Sequence, residues 1–110
     1  MVTFALPSAA YALITGETGR AIHRTSGLTI GADEWHALQR AVFTDGHYVV
    51  TCADGIAAAL LEWFEGSFEV ARSSHGLFGE PSSVLHGCRL ASAAIRAALA
   101  ASPRPGAALR

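Results

Sequence analysis

At 110 residues the chain is sized for a single domain, and it can bury about two thirds of its unfolded surface without disulfide or metal staples. Eight basic side chains against nine acidic ones give a net charge of −1, so the basic excess that binding to phosphate polymers requires is missing and nucleic acid is excluded as a partner. The hydrophobic fraction is 51%, the charged fraction is 15% against a usual value of about 25%, and the mean hydropathy is +0.32. Polar material is scarce, and part of the apolar surface is expected to meet another subunit.

Every basic residue is arginine, lysine and asparagine are absent and alanine is abundant, the usage of a GC-rich bacterial genome. The two cysteines, Cys52 and Cys88, are too few for a disulfide-built secreted domain and are expected reduced and packed inside. No basic residue precedes the first apolar stretch and Pro7 interrupts it, so no signal peptide is expected. The longest apolar run falls well short of the ~20 residues that cross a bilayer. These features point to a cytoplasmic protein with no membrane partner.

Residues 2–6 alternate as V-T-F-A-L, with Val2, Phe4 and Leu6 on one face, which is a strand pattern. After Pro7 the chain admits either a short helix begun at Ser8 or a strand over 11–15. The turn-like GETG at 16–19 favours the strand, with RAIHRTS pairing back as a second arm over 20–25. In that arm Arg20 and Arg24 share a face with Ile22, the inward charge of an edge strand.

A helix is predicted over 32–43, with Asp33 and Glu34 in the first turn, an apolar stripe of Trp35, Leu38 and Val42, and an end at Asp45-Gly46. Residues 47–53 are apolar on both faces, as in a strand covered on both sides. Asp54 can cap a helix over 56–65 that Gly66 stops, and SFEVAR at 67–72 alternates as a fourth strand. A glycine-bearing loop over 73–83 leads to a last helix over 84–101, where His86, Arg89, Ser92 and Arg96 form a narrow polar stripe. SPRPGAALR at 102–110 has no periodicity and is expected to be a disordered tail. The expected fold is one α+β sandwich over 1–101: a four-stranded mixed sheet with three helices in the order ββαβαβα, gaining a fifth strand if residues 2–6 pair.

Were strands 47–53 and 67–72 parallel, their carboxyl ends would open on one crevice, the usual ligand position of such sheets. That places Asp54 and Gly55 beside Ser73, Ser74, His75 and Gly76, with Ser82 and Ser83 offering a helix start to an anion. The bland alternative is a connector with Leu77 and Phe78 packed on the sheet and Ser83 as a cap. Asp54, a serine of the 73–74 pair and His75 supply the residue types of a nucleophile, base and orienting acid, but no G-x-S-x-G elbow marks them. Cys52 inside a strand reads as inert rather than as a partner of His75.

No C-x-x-C or H-x-x-x-H is present, and His86 and Cys88 diverge on a helix, so no metal site is expected. GETG-R lacks the spacing and the lysine of a phosphate loop. Trp35 and Trp63 could stack on a ligand, but each falls on an apolar helical face and reads as core. No cofactor is called for. The favoured reading is a non-enzymatic interaction module working as a homo-oligomer, in the simplest case a dimer, through Ala91, Ala94, Ile95, Ala98 and Leu99 on the last helix. The alternatives are a small enzyme or ligand-binding domain using the 54–55 turn and the 73–83 loop, or a module serving a different protein partner.

Overall fold

The computed structural model describes residues 1–16, 20, 27–73 and 81–101. Strand β1 (Val2–Pro7) leads into helix α1 (Ser8–Thr15); helix α2 (Ala32–Gln39) precedes the hairpin of β2 (Val42–Thr44) and β3 (His47–Cys52); two long helices, α3 (Asp54–Ser73) and α4 (Pro81–Ala101), close the chain. Both strand pairs are antiparallel and the order is β1-β3-β2. The expected four-stranded mixed sheet with three helices is therefore wrong. Among the described residues the fold is a small α+β unit of three antiparallel strands and four helices.

Strand β1 follows its alternation: Val2, Phe4 and Leu6 are buried, while Thr3 and Ala5 face out. Its register pairs Phe4 with Val50, Val2 with Cys52 and Leu6 with Tyr48, so the inner face of β3 is Tyr48, Val50 and Cys52. The other face of β3 is not covered as its apolar pattern suggested; His47 and Thr51 are exposed.

Residues 11–15 are helical rather than extended. Ala10, Leu13 and Ile14 recur at the three- and four-residue spacing of a helix and are buried, and Thr15 Oγ1 donates to the Tyr11 carbonyl at 2.7 Å, one turn back. Ser8 ties the start of α1 to the hairpin turn, its Oγ donating to the Gly46 carbonyl at 2.8 Å. The expected second arm at 20–25 lies, apart from Arg20, outside the described residues, as does the 102–110 tail.

Helix α2 stops at Gln39, and Val42 and Phe43 belong to a strand. The reason is Asp45-Gly46: both residues sit in the left-handed region, at φ 50 and φ 78, which is the two-residue turn that joins antiparallel strands with native twist. Beyond it Thr44 pairs with His47 and Phe43 with Tyr48.

Gly66 does not stop α3, and residues 67–72 are helical, not a strand. The buried stripe Ala57, Leu60, Phe64, Ser67 and Ala71 runs through the glycine without a break in period. One glycine costs a helix only about 1 kcal/mol, which continuous burial on both sides outweighs. The glycine has a packing role: a Cβ there would stand 2.9 Å from Cδ1 of Leu28. Opposite lies the matching stripe of α4, Cys88, Ala91, Ile95 and Leu99, so α3 and α4 form an antiparallel hairpin with small residues at the seam. Phe64, Leu60, Leu6, Leu38, Ile95 and Val50 make the centre of the core. Among the described residues no helix is long and apolar enough to cross a membrane.

Candidate functional site

The expected crevice depended on two parallel strands, and residues 67–72 are helical, so that basis is lost. Asp54 opens α3 and Ser73 closes it, so a rise of 1.5 Å per residue holds them about 28 Å apart. Ser74, His75 and Gly76 lie outside the described residues. Asp54 Oδ1 instead lies 3.3 Å from the amino group of Met1, and Gly55 is exposed with open space around it. Ser82 and Ser83 fall in the first turn of α4, where only their backbone is described.

The five residues assigned to self-association divide the same way. Ala91, Ile95 and Leu99 are buried within the chain against β1 and α3, and only Ala94 and Ala98 remain partly open. The two cysteines are free and buried. Burial, and then the nearby Asp54 carboxylate, push the Cys52 thiol up; burial alone pushes Cys88 up to about 11. Burial and the raised thiol pKa both disfavour the reactive thiolate in the folded chain. His36, His47 and His86 are exposed, and among the described residues no group of His, Cys, Asp and Glu could hold a metal ion.

Two concavities stand out among the described residues. The first, about 330 Å³, is walled by Ile14 at the end of α1, Leu28 and Ile30 of the segment before α2, Trp35 of α2 and Trp63 of α3, with Arg20 at its rim. Trp63 is buried and packs edge-on against Phe64 at 5.3 Å, while Trp35 is half in solvent. The seat exists because Gly66 admits Leu28 against α3. Among the described residues its lining has apolar and indole surface, two threonine hydroxyls and one guanidinium, and no carboxylate, imidazole or thiol. It can bind a flat apolar group. Of these residues the sequence singled out the two tryptophans, as core. The alternation of Leu28 and Ile30 between Gly27 and Gly31 is the signal that marks the rest.

The second is a wide groove of about 670 Å³ along α3 and α4 that contains Arg89, Ser92 and Arg96 of the polar stripe of α4. Its charges are internally satisfied. Arg96 pairs with Glu65, Arg72 with Glu69 at 2.6 Å, and the Arg89 guanidinium lies over the Phe68 ring at 5.2 Å.

The sheet offers the remaining surface. Among the described residues helices cover one face only; the other carries Thr3, Ala5, Val42, Thr44, His47, Val49 and Thr51, with Thr3 and Thr51 joined through their hydroxyls at 3.0 Å. No aspartate, glutamate or arginine stands on it, and Val42 is 62% exposed. On the covered face the rings of Tyr11 and Tyr48 stack at 3.8 Å, and Phe43 tilts against Tyr48 at 4.9 Å while remaining 58% exposed at the edge. Comparison of the chain with protein-family models, with curated proteins and with solved structures found no match.

Proposed function

We propose that this chain is a non-enzymatic interaction module that works as a homo-oligomer. The observation that supports the reading is the half-covered sheet: among the described residues its open side carries threonine, valine, alanine and His47 without a carboxylate or guanidinium, and β2 leaves Val42 and Phe43 in water. Threonine and valine fit a pleated, half-buried surface, and a face without fixed charge meets a copy of itself without repulsion. Asp54 and Ser73 stand at opposite ends of α3, which supports a non-catalytic reading. Light scattering or sedimentation over a range of concentrations tests the proposal, with a dimer or larger assembly as the expected result. A strict monomer throughout overturns it.

A second reading rests on the tryptophan-walled cleft: a small flat apolar ligand bound between Trp35 and Trp63. Titration with aromatic and aliphatic probes would then quench or shift tryptophan emission in the native chain, and Trp35→Ala would abolish the response. Flat titrations across the panel reject it.

A further inference from the structure

The outer edge of β1 carries a more specific consequence, which rests on the homo-oligomer reading. The two-residue turn makes Thr44 and His47 a mutually hydrogen-bonded pair, so in β3 His47 and Val49 aim their backbone groups at β2 and Tyr48, Val50 and Cys52 aim theirs at β1. The Ser8 amide, which donates to the Gly46 carbonyl at 3.3 Å, continues that parity past the end of β1. On β1, then, Val2, Phe4 and Leu6 bond inward to β3, and Thr3, Ala5 and Pro7 direct their backbone groups away from the sheet. Among the described residues β3 is the only strand that β1 pairs with.

Sheets normally guard such an edge with brevity, charge or proline. Strand β2, at the other edge, is three residues long. Strand β1 is six residues with no charge, and its one guard, Pro7, stands at the end. We propose that β1 is the seam of a two-fold dimer in which it pairs antiparallel with β1 of a second copy, Phe4 facing Phe4 across the axis. In that register Thr3 stands opposite Ala5 of the second copy and Ala5 opposite its Thr3. Every outward amide group of Thr3 and Ala5 finds a carbonyl, and Pro7, which has no N–H, falls opposite Met1, outside the strand. The result is one continuous six-stranded sheet with the helices of both copies on the same side.

The helix above the seam matches it. Arg89, Ser92 and Arg96 of α4 face the α3 groove, and a Cβ at Gly87 would stand 3.8 Å from Cα of Ala10 in α1. The flank turned away from α3 is Leu90, Ala94, Ala97 and Ala101, uncharged, with Leu90 41% exposed. Helix α4 packs on β1, and the proposed dimer brings this flank against its own copy. Strand pairing and a small apolar helix contact together make a second copy the occupant.

The test is sedimentation of the full chain carrying Ala5→Pro, which removes one outward N–H without touching the β3 ladder, or Leu90→Arg, at a position already in solvent. Circular dichroism confirms the fold of each. Each substitution is expected to weaken the dimer about tenfold or more, and the pair to leave monomer. A wild-type dimer whose dissociation constant neither folded variant changes overturns the seam but not the homo-oligomer. A wild-type chain that is monomeric throughout, or that associates only with a different protein, overturns both.

Discussion

Ser67 sits in the middle of the buried stripe of α3, fully enclosed, and its Oγ has no hydrogen-bond partner among the described residues. A buried hydroxyl without a partner costs about 1–3 kcal/mol, the solvation it gave up on folding. Ser67→Ala removes that penalty and adds up to about 0.5 kcal/mol of helix propensity. Against this stands a void the size of one oxygen, which at about 24 cal/mol per Å³ amounts to a few tenths of a kcal/mol. The variant is therefore expected to be more stable by about 1–2 kcal/mol, the reverse of the usual outcome for a fully buried position. At roughly 4–8 °C per kcal/mol for a domain of this size, the melting midpoint should rise by at least ~5 °C. Urea unfolding followed by tryptophan emission and thermal melts followed by circular dichroism both read the change. A loss of more than about 0.5 kcal/mol would refute the reasoning, because it would mean the hydroxyl donates to a partner whose loss is felt.

Three further expectations can be checked with the same melts. Gly46→Ala places a Cβ at φ 78 and should cost about 1–2 kcal/mol, whereas Asp45→Asn, at φ 50, should cost nothing measurable because asparagine tolerates that region. Gly87→Ala adds a Cβ at ordinary contact distance, 3.8 Å from Ala10 and Leu13, and should stabilise α4 by about 1 kcal/mol; Gly66→Ala must displace Leu28 from 2.9 Å and should gain less while altering tryptophan emission at the cleft. Burial holds the Cys88 thiol at about 11 in the folded chain against an ordinary 9.0, so the unfolded chain releases its proton first. Stability is then intact below about pH 9 and falls between about pH 9 and 11, at a slope of up to about 1.4 kcal/mol for each pH step of one. The raised Cys52 adds to that fall in the same direction, and Cys88→Ala should flatten much of it; an alkaline limb unchanged in that variant would count against the burial argument.

How much of this fold could be read in the residues depends on whether a local pattern had one structural meaning. Val2, Phe4 and Leu6 alternate over a stretch too short for a helix, and they formed the strand expected of them. The residues 47–52 and 84–101 did the same as strand and helix. Val42, by contrast, sits four residues after Leu38, so helical spacing and the start of a strand look identical there. Asp45-Gly46 was the discriminating signal, since an Asp-Gly pair flanked by β-branched and aromatic residues is a hairpin turn before it is a helix stop. At Gly66 the ambiguity ran the other way. SFEVAR alternates in polarity, yet Ser67 and Ala71 are four apart and complete the stripe begun at Ala57, and only contact with α4 decides between the periods.

The error at 67–72 also moved the site. A strand there would have folded the chain back and laid Ser73 beside Asp54; a helix carries it to the far end. The same change turned α4 over. With α3 extended to twenty residues, Ala91, Ile95 and Leu99 gained a full-length partner inside the chain, and the apolar surplus implied by composition was largely absorbed by helix pairing. What remains exposed includes Val42 and Phe43 at the sheet, Trp35 of α2 and Leu90 of α4. Periodicity can rank helix faces by hydrophobicity, but the most apolar face is the one the core claims first. An interface is therefore better sought on the second-best surface, the uncharged strand edge and the alanine flank beside it, than on the stripe with the strongest signal.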